Sequence, residues 1–212
     1  MVNLLLEAKV DVNACASLPE EDDDFYDQPP LSFACENAHP EVVAVLLQHK
    51  ADVNKRSTEN RSPLELAAGS ENAPDESLVP VVRQLIQAGA ALESFDEEDS
   101  PLIRAAVADH VQVTRELIAA GVDPDWSKSS TGETALYVAC SEGSAACARE
   151  LAAHSSKLDV RKAATSETAL YIACSKGHLE VVKVLLAAGV DISEKQNTVP
   201  RTGITLLLSP QQ

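Results

Sequence analysis

Thr134-Ala-Leu-Tyr-Val-Ala-Cys140 recurs as Thr168-Ala-Leu-Tyr-Ile-Ala-Cys174, 34 residues further on. A self-similar period of about 20–50 residues marks an architecture built by stacking copies of one small unit. A unit of that size cannot bury its own apolar face, so it must lie against its neighbours. The chain has 212 residues, room for several such units, and reads as one domain.

Outward from these two copies, one alanine keeps the register: Ala34, Ala67, Ala105, Ala139 and Ala173, in steps of 33, 38, 34 and 34. An apolar pair should follow each by 12 residues, and does at Leu46-Leu47, Leu117-Ile118, Leu151-Ala152 and Leu185-Leu186. After Ala67 the pair Leu85-Ile86 comes 18 residues on, which puts six extra residues within Gly69–Ser77. The Gly, Ser, Asn and Pro of that stretch are loop formers, so the extra length is expected to be a loop between two helices. Val42, Val43, Leu46 and Leu47 make one apolar stripe at helical spacing. Pro40 and Pro80 are expected in the first turns of second helices, where a missing N–H costs little. Gly89, Gly121 and Gly189 fall just after second helices, where a left-handed cap is wanted. Lys9, Lys50 and Ser155 hold the same site elsewhere, each expected to cost up to ~1 kcal/mol relative to glycine.

The longest unit reads Thr168-Ala-Leu-Tyr-Ile-Ala-Cys-Ser-Lys-Gly-His-Leu-Glu-Val-Val-Lys-Val-Leu-Leu-Ala-Ala-Gly-Val-Asp191. It resembles the ankyrin repeat, whose pattern is close to TPLHxAxxxGHxEVVxLLLxxGADVN. The resemblance covers nearly the whole chain. It implies an all-α ankyrin-repeat solenoid, elongated and without a β-sheet core, made of helix pairs with projecting hairpin fingers. About four to five full repeats fit, with incomplete ends: a partial repeat 1–27, repeats at about 28–60, 61–98, 99–131, 132–165 and 166–200, and a partial repeat 201–212. Val2–Ala8 match only the end of a second helix, and Thr202–Leu208 only the start of a first. The chain therefore reads as a piece of a longer array, with imperfect natural caps as the alternative.

Composition narrows the partners. Apolar residues make up 45% of the chain but aromatics only 3%, so small aliphatic side chains must fill the core. The net charge is −16, which disfavours nucleic acid and acidic membranes as partners. The charge is lopsided: residues 1–100 hold 6 Lys/Arg against 21 Asp/Glu, and residues 101–212 hold 11 against 12. Such asymmetry points to an interaction surface, with a solvated acidic face as the plainer alternative. No apolar run approaches the ~18 residues of a membrane span, and Met1–Glu7 lacks the pattern of a secretory signal. The cysteines Cys15, Cys35, Cys140, Cys147 and Cys174 are odd in number and lack CxxC spacing. They are expected reduced, in an intracellular protein of cytoplasm or nucleus.

Little points to chemistry. The resemblance makes His39, His110 and His178 structural, each ring bonded to neighbouring backbone. Cys140 and Cys174 would lie in stacked helices about 10 Å apart, too far for a disulfide. Cys147 with His154 gives two ligands and no tetrahedral site. GxSxG, P-loop, HExxH and GxGxxG motifs are absent. No enzyme activity, metal or cofactor is expected.

The charged clusters carry more. Glu20, Glu21, Asp22, Asp23 and Asp24 run into Phe25 and Tyr26 within a finger about eight residues longer than the next. Phe95 precedes Asp96, Glu97, Glu98 and Asp99 two fingers later, roughly 20 Å away by stacking. Aromatic rings beside carboxylates suit a Lys/Arg-rich ligand, and Trp126 would extend that surface. Internal neutralisation by Lys55, Arg56 and Arg61 is the alternative. The ankyrin resemblance implies contacts at fingers and just after each first-helix alanine. Those residues are Glu36, Asn37, Thr58, Glu59, Arg61, Glu133, Ser141, Glu142, Ser175 and Lys176, together with the finger residues already named. The expected function is a protein–protein interaction module or scaffold, monomeric, with end-to-end association open through its incomplete ends. The alternative is a regulatory segment of a larger enzyme or channel. Asn13 and Asn54 sit where ankyrin proteins can be hydroxylated, with hairpin hydrogen bonding as the plain reading.

Overall fold

In a computed structural model of the chain, the described residues are 11–15, 28–93, 100–155, 157–160, 162 and 165–192. Each first helix begins where a small residue or proline precedes an apolar run. In α1 (Pro30–Glu36), α3 (Pro63–Ala68) and α5 (Pro101–Val107), proline takes the first helical position, whose N–H would have no partner anyway. Ser62, Ser100, Thr134 and Thr168 cap α3, α5, α7 (Ala135–Glu142) and α9 (Ala169–Lys176) by accepting from the backbone N–H three residues on. At α3 the cap is reciprocal, since Glu65 returns its carboxylate to the Ser62 N–H at 2.7 Å.

Each first helix turns back into a second: α2 (Pro40–Gln48), α4 (Asp75–Gln87), α6 (Val111–Ala119), α8 (Ala145–His154) and α10 (Leu179–Ala187). These ten helices are all the regular structure among the described residues, and the protein is an all-α solenoid of helix pairs. Between pairs the chain makes hairpin fingers closed by backbone bonds, Ser57 N–H to Arg61 at 2.9 Å, Lys128 to Glu133 at 3.0 Å and Lys162 to Glu167 at 2.9 Å.

The chain divides into two units, residues 1–122 and 123–212. In the first, α1, α3 and α5 pack in one row and α2, α4 and α6 in another. Leu64, Leu78, Leu85, Leu102, Ile103 and Leu117 are wholly buried between the rows. Each such burial contributes about 1.5–3 kcal/mol. In the second unit α7 packs on α9 and α8 on α10, around Leu136, Leu151 and Leu185.

Among the described residues, the turns after the second helices meet the register with one exception. Gly89, Gly121 and Gly189 are left-handed, and so is Lys50 at φ 66°. Ser155 is not: at φ −78° and ψ 136° it leaves α8 extended. Its hydroxyl donates to Asp125 and accepts the Lys157 N–H, so the side chain satisfies two groups at the end of the helix. The links between first and second helices are also left-handed, at Ala38, Asp109, Gly143 and Gly177. A methyl on Gly143 would meet the His178 ring at 2.7 Å, whereas one on Gly177 would meet nothing within 4 Å.

The insertion after Ala67 is only partly a loop. Residues 69–74 connect the helices, and Asp75, Glu76 and Ser77 already form the first turn of α4. That helix has 13 residues where α2 has 9. Pro80 consequently lies inside α4 and not in its first turn. Asp75 does a second job: its carboxylate accepts the Gln112 N–H at 2.6 Å and the Val113 N–H at 3.0 Å. His110, at the head of α6, offers no side-chain cap, so the insertion supplies one. Caps of this kind are worth about 1 kcal/mol.

Candidate functional site

The ends of the first helices in the first unit are tied in a line. The Ser70 hydroxyl donates to the Glu36 carbonyl at 2.5 Å, and His110 Nε2 donates to the Ser70 carbonyl at 2.7 Å. In the second unit His178 Nε2 donates to the Ser141 carbonyl at 3.0 Å. Two of the three register histidines are thus structural, each holding a backbone oxygen of the preceding pair.

Around these ties sit the expected contact residues. Glu36 is half-buried and accepts from Gln28 Nε2 at 3.3 Å. Asn37 is exposed, its amide turned back to the Phe33 carbonyl at 2.9 Å. Thr58 and Glu59 are exposed at the tip of a finger, where Glu59 pairs with Arg61 at 3.0 Å. In the second unit Lys176 Nζ joins the half-buried Ser141 hydroxyl at 2.8 Å and the exposed Glu142 at 3.5 Å, and Ser175, next to Lys176 in the chain, is exposed. Trp126 is half-buried, and its backbone N–H donates to the Asp123 carbonyl at 3.2 Å. Glu20, Glu21, Asp22, Asp23, Asp24, Phe25, Tyr26, Phe95, Glu97 and Glu98 lie outside the described residues, as does Lys9.

The basic residues of the finger at 52–61 have partners near home. Lys55 Nζ donates to the Asn13 carbonyl at 2.6 Å, Arg56 to the Asn60 carbonyl and to the buried Glu65, and Arg61 to Glu59. Asn13 and Asn54 link successive fingers: their side-chain oxygens accept the Asp52 N–H at 2.8 Å and the Ala91 N–H at 2.8 Å.

Two features escaped the sequence reading. Val107 is 46% exposed at the register position of Glu36, Ser141 and Ser175, two residues after its alanine. The register rule would have found it. The other is a polar seam in the second unit. Lys162 pairs with Glu133 at 2.6 Å and stands 5.6 Å from the centre of the Tyr137 ring, whose hydroxyl donates to Glu167 at 3.1 Å. Burial pushes the Glu133 carboxyl up, but the hydrogen bonds from Lys162 and Thr131 and the charges of Lys162 and Lys128 outweigh it and hold it below its ordinary range. Burial, the Glu167 bond and the neighbouring carboxylates push Tyr137 up.

Burial pushes the Cys35 thiol up and that of Cys140 up to about 12, which leaves both as inert thiols. Cys174 is half-buried. Among the described residues no group of three or more His, Cys, Asp or Glu could hold a metal, and no helix is long and apolar enough to cross a membrane.

A model of the family described as ankyrin repeats (3 copies) matches residues 1–96 and 102–196. The chain belongs to the ankyrin-repeat family. Ankyrin repeats are a non-catalytic module of protein–protein interaction. The chain is 30% identical over 115 residues to the ankyrin repeat and KH domain-containing protein mask-1 of Caenorhabditis elegans. It is 28% identical over 110 residues to a transient receptor potential cation channel subfamily A member 1 homolog of the same organism. These ankyrin matches cover 54% and 52% of the chain but only 4% and 8% of the two relatives.

Proposed function

We propose that this chain is a recognition module that binds a partner protein or peptide through its finger tips and the ends of its first helices. The observation that carries this reading is the fixed lip of the first helices. Ser70 and His110 in one unit, and His178 in the other, hold successive backbone ends by hydrogen bonds of 2.5–3.0 Å. Side chains displayed from such a lip, among them Glu36, Asn37, Val107, Ser141, Glu142, Ser175 and Lys176, lose little ordering entropy on binding. The acidic fingers, with Glu20–Asp24, Phe25, Tyr26, Phe95, Glu97 and Glu98, make a Lys/Arg-bearing segment the favoured ligand. That preference is supported by the excess of 21 Asp/Glu over 6 Lys/Arg in residues 1–100. It is also supported by the local partners of Lys55, Arg56 and Arg61, which commit those cations elsewhere. The module works without a cofactor, in an intracellular compartment, and on the repeat boundaries set out above.

Affinity capture with mass spectrometry, comparing wild type with a form neutralised at Glu20–Asp24, tests the reading. A basic partner should be recovered by wild type, bind less tightly as salt rises from 0.05 to 0.5 M, and be lost or weakened with the neutralised form. A partner indifferent both to salt and to the neutralisation removes the acidic-finger preference and leaves the lip. A partner that also ignores Val107→Asp and Asn37→Ala removes the lip.

A second reading is favoured by the two relatives, a KH-domain protein and a channel, both far longer than this chain. In that reading the repeats are a regulatory segment of a larger protein. Sequencing the full transcript decides it, because flanking coding sequence is either found or not.

A further inference from the structure

The second helices of the first unit show how this array neutralises an arginine on its outer row. Arg83 on α4 donates through Nε and a terminal nitrogen to both oxygens of Glu116 on α6, at 2.8 and 2.5 Å. Arg83 stands two residues before the core leucine of its helix, and Glu116 one residue before that of the next. In the second unit Arg149 takes the first of these positions on α8, two before Leu151. The second position on α10, one before Leu185, is held by Val184 and not by a glutamate. Arg149 is accordingly exposed and has no ionic or hydrogen-bonded partner among the described residues.

An open groove of about 540 Å³ lies where that carboxylate would be. Arg149 and Lys183 stand at its sides, and Ala152, Val184 and Ala187 are among the residues that line it. Glu180 is the one acid in its lining, and it is already paired with Lys183 at 2.7 Å. The groove is thus a small trough lined by alanine and valine, beside an exposed guanidinium with no carboxylate partner among the described residues. An arginine fork binds a carboxylate through two parallel hydrogen bonds, and the protein makes that pair itself at Arg83.

We propose that the groove between α8 and α10 is a second docking site, which takes an acidic peptide segment of a partner by placing one glutamate or aspartate on Arg149 and a small apolar side chain over Ala152 and Val184. The site faces away in chemistry from the acidic fingers, so one partner segment can be anionic here while another is cationic there.

The test uses the whole chain and a short fluorescein-labelled peptide alternating glutamate and alanine, followed by anisotropy and by amide shifts in ¹H–¹⁵N spectra. The peptide should bind saturably below about 1 mM, with shifts confined to α8 and α10. Its glutamine counterpart should bind at least about tenfold more weakly. Arg149→Gln, a change at an exposed site, should weaken the glutamate peptide by about tenfold while the circular dichroism spectrum is unchanged. Val184→Glu should do the same from the other side, because it restores the in-register carboxylate and fills the groove. Equal binding by wild type and Arg149→Gln, equal binding of the two peptides, or no binding up to millimolar peptide each overturns the proposal. So does tighter binding of a short single-stranded oligonucleotide, which would assign the groove to phosphate.

Discussion

Lys50 and Ser155 occupy the same register position after a second helix, yet glycine should act on them in opposite directions. Lys50 is left-handed at φ 66°, exposed, and its backbone N–H bonds to the Leu47 carbonyl at 3.0 Å whatever the side chain. Releasing an L-residue from that region recovers about 1–2 kcal/mol. The greater freedom of glycine in the unfolded chain returns about 0.5–1 kcal/mol of that. Lys50→Gly should therefore stabilise by up to ~1 kcal/mol. Ser155 is extended at φ −78°, so there is no strain to release. Ser155→Gly loses the hydroxyl bonds to Asp125 and from Lys157, each worth about 0.5–1.5 kcal/mol, and suffers the same entropy term. It should destabilise by about 1.5–4 kcal/mol. Urea unfolding followed by circular dichroism, with a slope of about 1–3 kcal/mol per molar, separates the two variants by roughly 0.5 M or more in midpoint. If both substitutions shift the midpoint the same way, backbone conformation at this register does not govern stability and the reasoning fails.

Further outcomes are expected. Gly143→Ala should destabilise by more than Gly177→Ala, which adds only left-handed strain of about 1–2 kcal/mol, because the new methyl at 143 meets the His178 ring at 2.7 Å. Thermal melts in parallel check the order. Asp75→Ala should cost about 1 kcal/mol in urea and raise amide exchange at Gln112 and Val113 in α6, the helix it caps. Glu133 has a carboxyl held below its ordinary range, so its contribution is present above the unfolded value of about 4.3 and is lost as pH falls through the folded value. Glu133→Gln should consequently lower the urea midpoint at pH 6 and converge with wild type as pH drops towards 3.

The sequence made the solenoid legible because stacking leaves the same mark on every copy. Ala67 and Leu85 differ in spacing from their counterparts, and that alone located the insertion. What spacing could not reveal was how the extra length divides between loop and helix. Pro80 reads as a first-turn proline if the register is counted from Leu85, but the acids at 75 and 76 start the helix earlier, and the proline is carried inside it. Ser155 was misjudged for a similar reason. Register assigns a position, whereas the backbone there follows the hydrogen bonds available, and Asp125 comes from the finger before. Of the proposed recognition surface, the first-helix ends were legible from Ala34, Ala139 and Ala173. Lys162 was not: Lys128 and Lys162, and Glu133 and Glu167, recur at the 34-residue period, but the period does not tell that Lys162 reaches back to the preceding finger to pair with Glu133.

Asp75 closes a helix turn that lies 37 residues downstream. That makes the array less modular than its period suggests. The donor of the cap and the helix that needs it belong to different copies, so neither copy is complete when moved without the other. Trimming the insertion to give its own pair the common length would leave that pair shorter and otherwise intact, and would uncap its neighbour. Duplication or shuffling of units should then succeed only when these two travel together, in this order. A six-residue insertion in one copy thereby acts as a positional tag, distinguishing one link of a nominally uniform chain from all the others.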